Sequence, residues 1–344
     1  MHSACSLNVR PGLPEQKQRG EMMIRRLQVM AVAVLAALSC ASVAQTFPAK
    51  PVRIVVPFPP GGGVDIVARV IGPKLAAQYG HQVIVENRAG AAGIIGTEFT
   101  ARSAPDGYTW ALATLGNLAA NKHLYTKMTV DPLKDLAPVT QVVDVHFVMV
   151  AHPSLPVRNV KQLIALAKSR PGEIVYSSSG AGGAPHLGGE LFNRLAGVNI
   201  RHVPYKGSGP SFADLLGGHV QLTYDSMLQS LPYIRDRKLV ALGLLGPKRV
   251  AALPDLPTIA EQGVPGYALT NWFGMVVPAA TPRDLIARIH ADVTKTLQDR
   301  EIRDRIVSMG ADVVGNTPEQ FAKFWRDESD KWAKVIREAD IRAE

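Results

Sequence analysis

Three times along this chain, a short apolar run ends in a glycine-rich turn and passes into residues spaced at helical period. The first run is 52–56, followed by the turn 57–65, with Val67, Val70, Ile71 and Leu75 beyond it. The second is 174–177, followed by 177–186 and a helix over 186–196. The third is 201–203, followed by 205–210 and a helix near 211–216. Strand, turn and helix in that order demand a crossover back to a parallel neighbour, and such crossovers are right-handed. Further signals extend the pattern. Strands are expected at 83–85, 109–113, 147–150, 220–224, 239–245 and 271–277, and helices at 93–101 and through Val160, Leu163, Ile164 and Ala167. At about 100–200 residues per domain, 344 residues divide into two such α/β lobes.

The tail reads as helical. Thr281-Pro282-Arg283-Asp284 and Thr317-Pro318-Glu319-Gln320 each offer a cap, a proline suited to the first turn and an acid or amide at the third position. Beyond the second, Phe321, Phe324, Trp325, Trp332 and Ile336 give the last helix an apolar face to bury.

The N-terminus carries an export signal. Arg25 and Arg26 precede an apolar run over 27–38, and Ser42-Val43-Ala44 supplies a small-x-small cleavage pattern before Gln45. The run falls short of the roughly 20 residues a spanning helix needs. Residues 1–44 are therefore expected to be removed, with Met22 or Met23 the natural start. A lipoprotein reading at Cys40 ranks second. Cys5 and Cys40 are the only cysteines, so cleavage after Ala44 leaves a mature chain with no disulfide, thiol nucleophile or cysteine-bound metal. The formal charge of +9 includes +3 within residues 1–44, and the rest is scattered among acids. No basic stripe suits a nucleic acid, though a mild attraction for anions fits.

Catalytic signatures are missing. The sequence has no Gly-x-Ser-x-Gly elbow, no His-Glu-x-x-His and no complete phosphate loop, and its histidines lack zinc-ligand spacing. His186 stands out only because it follows a glycine-rich turn. A triad of Ser178, His186 and a distant Asp stays open, without any spacing that asks for it. The three loops speak more clearly. A glycine-rich loop entering a helix exposes backbone N–H groups where the helix dipole favours an anion, and ligands of open α/β sheets bind beyond the strands' carboxyl ends. Ile66 breaks the Gly-x-Gly-x-x-Gly spacing of a dinucleotide site.

These residues also carry a resemblance. Val55-Val56-Pro57-Phe58-Pro59-Pro60-Gly61-Gly62-Gly63-Val64-Asp65-Ile66-Val67-Ala68-Arg69 resembles the first-loop signature of the Bug family, also called TctC, the periplasmic receptors of tripartite tricarboxylate transporters. The likeness continues through Val85-Glu86-Asn87-Arg88-Ala89-Gly90-Ala91-Ala92-Gly93, Ser103-Ala104-Pro105-Asp106-Gly107-Tyr108-Thr109 and Val203-Pro204-Tyr205-Lys206-Gly207. It ends in Leu253-Pro254-Asp255-Leu256-Pro257-Thr258-Ile259-Ala260-Glu261-Gln262-Gly263 and Trp272-Phe273-Gly274. It spans essentially the whole mature chain, in order.

The resemblance implies a type II periplasmic-binding-protein fold, with two doubly wound lobes joined by crossing hinge strands. Residues 46–145 and 272–344 are expected to form one lobe and 146–271 the other. It implies a monomeric, non-enzymatic periplasmic receptor that closes on a di- or tricarboxylate, an acidic amino acid or an aromatic acid. No cofactor and no metal are expected, and the partners would be membrane permease subunits. A periplasmic sensor serving a signalling protein is the alternative, and a serine hydrolase a remoter one. Carried over residue by residue, the ligand contacts would be Phe58, Gly61, Gly62, Gly63 and Asp65 from the first loop, with Thr114 and Asn117 from the rim after the third strand. The other lobe would supply Ser178, Ser179, Gly180, Tyr205, Lys206, Gly207 and Asp225.

Two departures make the pocket less polar. Val64 stands where relatives carry Thr or Ser, and Gly183-Ala184-Pro185 precedes His186 in place of a serine. Some of these residues have plainer roles to fill: Asp65 as a helix cap, Lys206 in solvent, Tyr205 in the core. Asp225 would repel an anion unless it accepts from a ligand amine, a hydroxyl or water. Trp272, at the expected return crossing, should report closure more than Trp325 or Trp332. The export reading makes one direct prediction: intact mass from a periplasmic extract should give a chain beginning at Gln45, and a lipid-modified Cys40 at the N-terminus would refute it.

Overall fold

Two mixed sheets, each flanked by helices, organise the chain. A computed structural model describes residues 47–338 together with Arg25; the cleavage pattern and both cysteines lie outside the described residues. In the first lobe β1 (Val52–Val56) leads into α1 (Gly63–Tyr79), β2 (Val83–Asn87), α2 (Ile94–Ala101) and β3 (Thr109–Thr114). After short helical turns at Gly116–Ala120 and Asn121–Leu124, β4 (Leu136–Val145) ends this stretch. The second lobe contains β5 (Phe147–Ala151), α3 (Val160–Ser169), β6 (Val175–Ser178), α4 (Ala184–Ala196), β7 (Arg201–Pro204), α5 (Ser208–Leu216), β8 (Leu222–Ser226), α6 (Met227–Arg235) and β9 (Val240–Leu244). The chain returns in β10 (Asn271–Pro278), followed by α7 (Arg283–Gln298), α8 (Arg300–Ser308), β11 (Ala311–Val313) and α9 (Pro318–Glu338).

The first sheet has the order β11-β4-β10-β3-β1-β2 and the second β7-β6-β8-β5-β9. Within them β1 runs parallel to β2 and β3, and β6 parallel to β7 and β8, as the strand–turn–helix pattern requires. The strands that carry the chain between lobes break the pattern. β10 lies antiparallel between β3 and β4, and β5 antiparallel between β8 and β9. They enter from the opposite end, so purely parallel sheets are impossible. Leu136–Val145 gives no clean strand signal, since Pro138, Thr140 and Gln141 interrupt its apolar residues. It holds its place by pairing on both sides, with β10 and β11.

A single residue separates β4 from β5. The N–H of His146 donates to the carbonyl of Gly310 in the first lobe, and its own carbonyl accepts from the N–H of Met227 in the second. The return path is similarly pinned, with Leu269 N–H donating to the Leu245 carbonyl just before β10.

Burial explains the strand sequences. Val52, Ile54, Val55 and Val56 are fully buried, as are Trp110, Ala111, Leu112 and Ala113. Parallel strands covered on both faces read as continuous apolar runs. α9 closes the first lobe. Thr317 and Gln320 form the expected reciprocal capping box, each side chain accepting from the other's backbone N–H. The other expected cap fails: the Thr281 hydroxyl donates to the Pro278 carbonyl, and the helix begins at Arg283.

Phe321, Trp325, Trp332 and Ile336 are buried. The Glu328 carboxylate accepts from the indoles of both Trp272 and Trp332, while the Trp325 indole donates to the Leu118 carbonyl. Trp272 therefore sits edge-on to Phe321 in the aromatic core of one lobe, in the same surroundings as Trp325 and Trp332. Trp272 was expected to report closure more than Trp325 or Trp332, and this shared seat gives it no special place among them. Among the described residues, no helix is long and apolar enough to cross a membrane.

Gly274, in the middle of β10, faces this core. A Cβ there would collide with the Phe321 ring. Gly274→Ala should therefore destabilise the protein by about 1–3 kcal/mol through overpacking, read as a lowered midpoint in urea denaturation.

Candidate functional site

Each parallel strand releases its chain at the carboxyl end, so the following helix presents its N-terminus there. Four helices do so around one place. Their N-caps are Gly62 for α1, Gly183 for α4, Gly207 for α5 and Ser226 for α6, and none makes a side-chain capping bond. The first N–H groups of a helix have no partner within it, and the dipole adds partial positive charge. The glycines leave these groups uncovered.

A cavity of about 40 Å3 lies among them, lined from both lobes. At roughly 10–15 Å3 for a water, it has room for about three waters or one carboxylate-sized group. Of the residues expected to contact ligand, Phe58, Gly62, Gly63, Thr114, Ser179 and Asp225 line it. Val64, Phe147, Gly183, Ala184, Pro185, Ser208, Ser226, Asn271 and Phe273 complete the wall. The loop before His186 signals Gly183 and Ala184, which open α4. Phe147, Asn271 and Phe273 flank the crossings and carry no local signal. Ser226 had none, because β8 passes into α6 without a glycine.

The remaining expected residues shape the loops without lining the cavity. Asp65 is 3% exposed. Its carboxylate accepts from Gly61 N–H at 3.0 Å, Arg69 Nε at 2.9 Å and Asn87 Nδ2 at 2.9 Å. Burial alone would raise that carboxyl, but the hydrogen bonds from Arg69, Gly61 and Asn87 outweigh it and hold the group below its usual value. Gly61, at φ 86°, makes the turn that delivers its N–H to Asp65. Asn117 accepts from the Thr114 amide and hydroxyl and donates to the Ala92 carbonyl. Ser178 is buried, and its Oγ lies 2.6 Å from His202 Nε2 and accepts from Gly180 N–H. Tyr205 donates to Asp214 at 2.6 Å. Lys206 is exposed.

The lobes meet through small residues. A Cβ on Gly207 would lie 2.5 Å from Pro59, one on Gly63 2.9 Å from Ser226 Oγ, and one on Gly180 3.6 Å from Ala92. Across the same seam, the Tyr125 hydroxyl donates to the Ala181 carbonyl at 2.6 Å.

Among the described residues, Asp225 is the only ionisable side chain on the cavity wall. It is 2% exposed, and its Oδ1 accepts from Ser226 N–H at 2.6 Å, while Oδ2 makes no hydrogen bond of good geometry. Burial pushes its carboxyl up to about 6, offset only in part by the nearby Ser208 hydroxyl and by the amide and hydroxyl of Ser226. Among the lining residues no cation balances this group.

The histidines of this lobe hold the second loop in place. His186 and His202 stack with ring centroids 4.2 Å apart, and His186 Nδ1 accepts from Gly182 N–H at 3.0 Å. Ser178 therefore pairs with His202, and His186 is occupied by backbone, so no triad of Ser178 and His186 forms. Burial lowers His186 to about 4, and burial together with His186 lowers His202 to about 3. Both are neutral in the folded protein, whereas the unfolded chain takes up their protons near 6.5. Their contribution is complete above about 6.5 and is lost as pH falls toward 4. Asp225 acts in the opposite sense, since its raised value favours folding below about 4 and that gain disappears as pH rises through 6. His186→Asn, whose Oδ1 can still accept from Gly182, should reduce the stability lost between pH 7 and pH 4.5 by roughly 1–3 kcal/mol, measured by urea denaturation at both pH values.

Comparison with known proteins accords with this architecture. The chain is 40% identical to protein BugT of Bordetella pertussis (strain Tohama I), over 93% of this chain and 99% of that one. An R. palustris protein solved with adipate superposes with a TM-score of 0.84 at 36% identity, covering 86% of this chain and 99% of that one. MatC from Rhodopseudomonas palustris, solved with bound malate, gives 0.81 at 30% identity, covering 84% and 100%. The fold is the two-lobed type II periplasmic-binding fold. Residues 67–341 match the sequence profile described as tripartite tricarboxylate transporter family receptor. The chain belongs to that family, TctC, whose members include the Bug receptors.

Proposed function

We propose that this protein is a periplasmic receptor that captures a small carboxylate between its lobes and delivers it to the membrane permease of a tripartite tricarboxylate transporter. One observation carries the reading: four helix N-termini without side-chain caps converge on a cavity that holds no lysine or arginine. Such a site stabilises an anion through N–H groups and helix dipoles. Export through the signal peptide ending at Ala44 would bring it to the periplasm. The adipate and malate of the two R. palustris proteins support the choice of carboxylate.

In this reading Phe58, Gly62, Gly63, Thr114, Ser179 and Asp225 touch the ligand. The carboxylate lies against Gly62 and Gly63, and the carbon chain runs along Phe58, Phe147 and Phe273. The lobes divide as 46–145 with 272–344, against 146–271, a division supported by which strands share a sheet. A cavity of about 40 Å3 admits the acid group but not a whole diacid. Entry therefore requires the lobes to part about the crossings at His146 and Thr270.

Gly63 supplies the test. A side chain there would press on Ser226 Oγ and Leu228 across the closing seam, whereas a Cβ on Gly62 finds Ser208 at an ordinary 3.8 Å. Gly63→Val should weaken binding of malate or adipate by roughly ten- to a thousandfold, the equivalent of one or two charged-group contacts. Gly62→Ala should change it by only a few-fold. Isothermal calorimetry, with circular dichroism as a folding control, measures both. Wild-type protein that binds no carboxylic acid, or folded Gly63→Val with full affinity, would overturn the proposal.

A further inference from the structure

The site described above explains how an acid is held but leaves part of its wall unmatched. Three buried polar atoms on that wall make no hydrogen bond of good geometry: Asp225 Oδ2, Ser226 Oγ and Asn271 Oδ1, although the Ser208 and Ser226 hydroxyls lie close enough to Asp225 to lower its proton affinity. Their residues are 2%, 2% and 3% exposed. Other unpartnered buried atoms, such as Tyr224 OH and Asn121 Oδ1, belong to residues that do not line the cavity. Two of the three are pure acceptors when Asp225 is ionised, and the serine hydroxyl can accept as well as donate. Buried polar atoms are nearly always paired, so a wall of acceptors facing a ligand space calls for a donor on the ligand.

We infer that Asp225, Ser226 and Asn271 form an acceptor subsite that selects carboxylates bearing a hydrogen-bond donor, a hydroxyl or an ammonium, close to the acid group. The inference rests on the carboxylate reading above and narrows it. Position supports it. Ser226 Oγ lies 2.9 Å from where a Cβ of Gly63 would stand, so the acceptors adjoin the first turn of α1, where the acid is held. The donor and the carboxylate must then sit on neighbouring atoms of one molecule. Electrostatics point the same way. A second carboxylate beside an ionised Asp225 is repelled, and the wall offers no cation to relieve it. A ligand hydroxyl or ammonium placed between the two removes that repulsion.

Matched acids test the subsite. Succinate, malate and aspartate share a four-carbon diacid frame and differ at one carbon by hydrogen, hydroxyl or ammonium. Propionate, lactate and alanine form a shorter set, and adipate is a donor-free control. Thermal-shift screening followed by calorimetry should show the donor-bearing member of a set binding roughly ten- to a hundredfold tighter than its donor-free partner. Asp225→Leu should bring that ratio close to one. Ser226→Ala, a milder change at an N-cap that makes no capping bond, should reduce the ratio and keeps the test available if Asp225→Leu fails to fold. Equal binding of succinate and malate or aspartate, or a preference unchanged in both variants, would overturn the subsite while leaving the carboxylate receptor intact. Failure of every acid to bind would overturn the receptor reading and the subsite with it.

Discussion

A helix that follows a parallel strand can begin only at the strand's carboxyl end, and this direction rule governs the rest of the molecule. It gathers the starts of α1, α4, α5 and α6 along facing sheet edges. Their unpaired N–H groups must then find partners outside the helices. Most proteins cover such groups with Ser, Asp or Asn caps. Here three of the four caps are glycine, and the fourth, Ser226, makes no capping bond. The same glycines let the lobes approach until Pro59 lies over Gly207. Anion affinity and closure thus share one set of residues.

Two aspartates show how position divides similar chemistry. Asp65 is buried among three donors and stays ionised, so it can brace the loop that turns at Gly61. Asp225 is equally buried, but its one well-formed hydrogen bond comes from the Ser226 amide, with only neutral serine hydroxyls nearby. The first serves the fold, and the second leaves unmet hydrogen-bonding capacity at the cavity. Burial alone would not separate them; the count of donors does.

Much of this was legible in the sequence because strand–glycine–helix units have a fixed polarity. The runs at 52–56, 174–177 and 201–203 gave the strands and the direction of the loops. The reading could not see mixed pairing, since β10 is antiparallel only because it returns from the other lobe, and nothing in Asn271–Pro278 records that journey. β4 was hidden by Pro138 and its polar neighbours, which a strand paired on both sides can absorb. Within the site, glycine-flagged positions such as Gly62 and Gly63 were found. Wall residues supplied by distant strands, Phe147, Asn271 and Phe273, were not, because their contribution depends on how two lobes face each other. Asn117, in the helical turn after β3, and Ser178, at the end of β6, turn their side chains toward backbone and histidine.

The place of β10 in the first sheet has a consequence for how the chain is made. β10 lies between β3 and β4, so β3 lacks a neighbour until residue 278 has been synthesised and threaded home, and β4, which also pairs with β11, until residue 313. The second sheet takes all five strands from one uninterrupted stretch, 147–244, and needs nothing from either end. Biogenesis is therefore asymmetric: one half can assemble as soon as its own residues emerge, while the other waits, edges open, for a strand encoded on the far side of its partner.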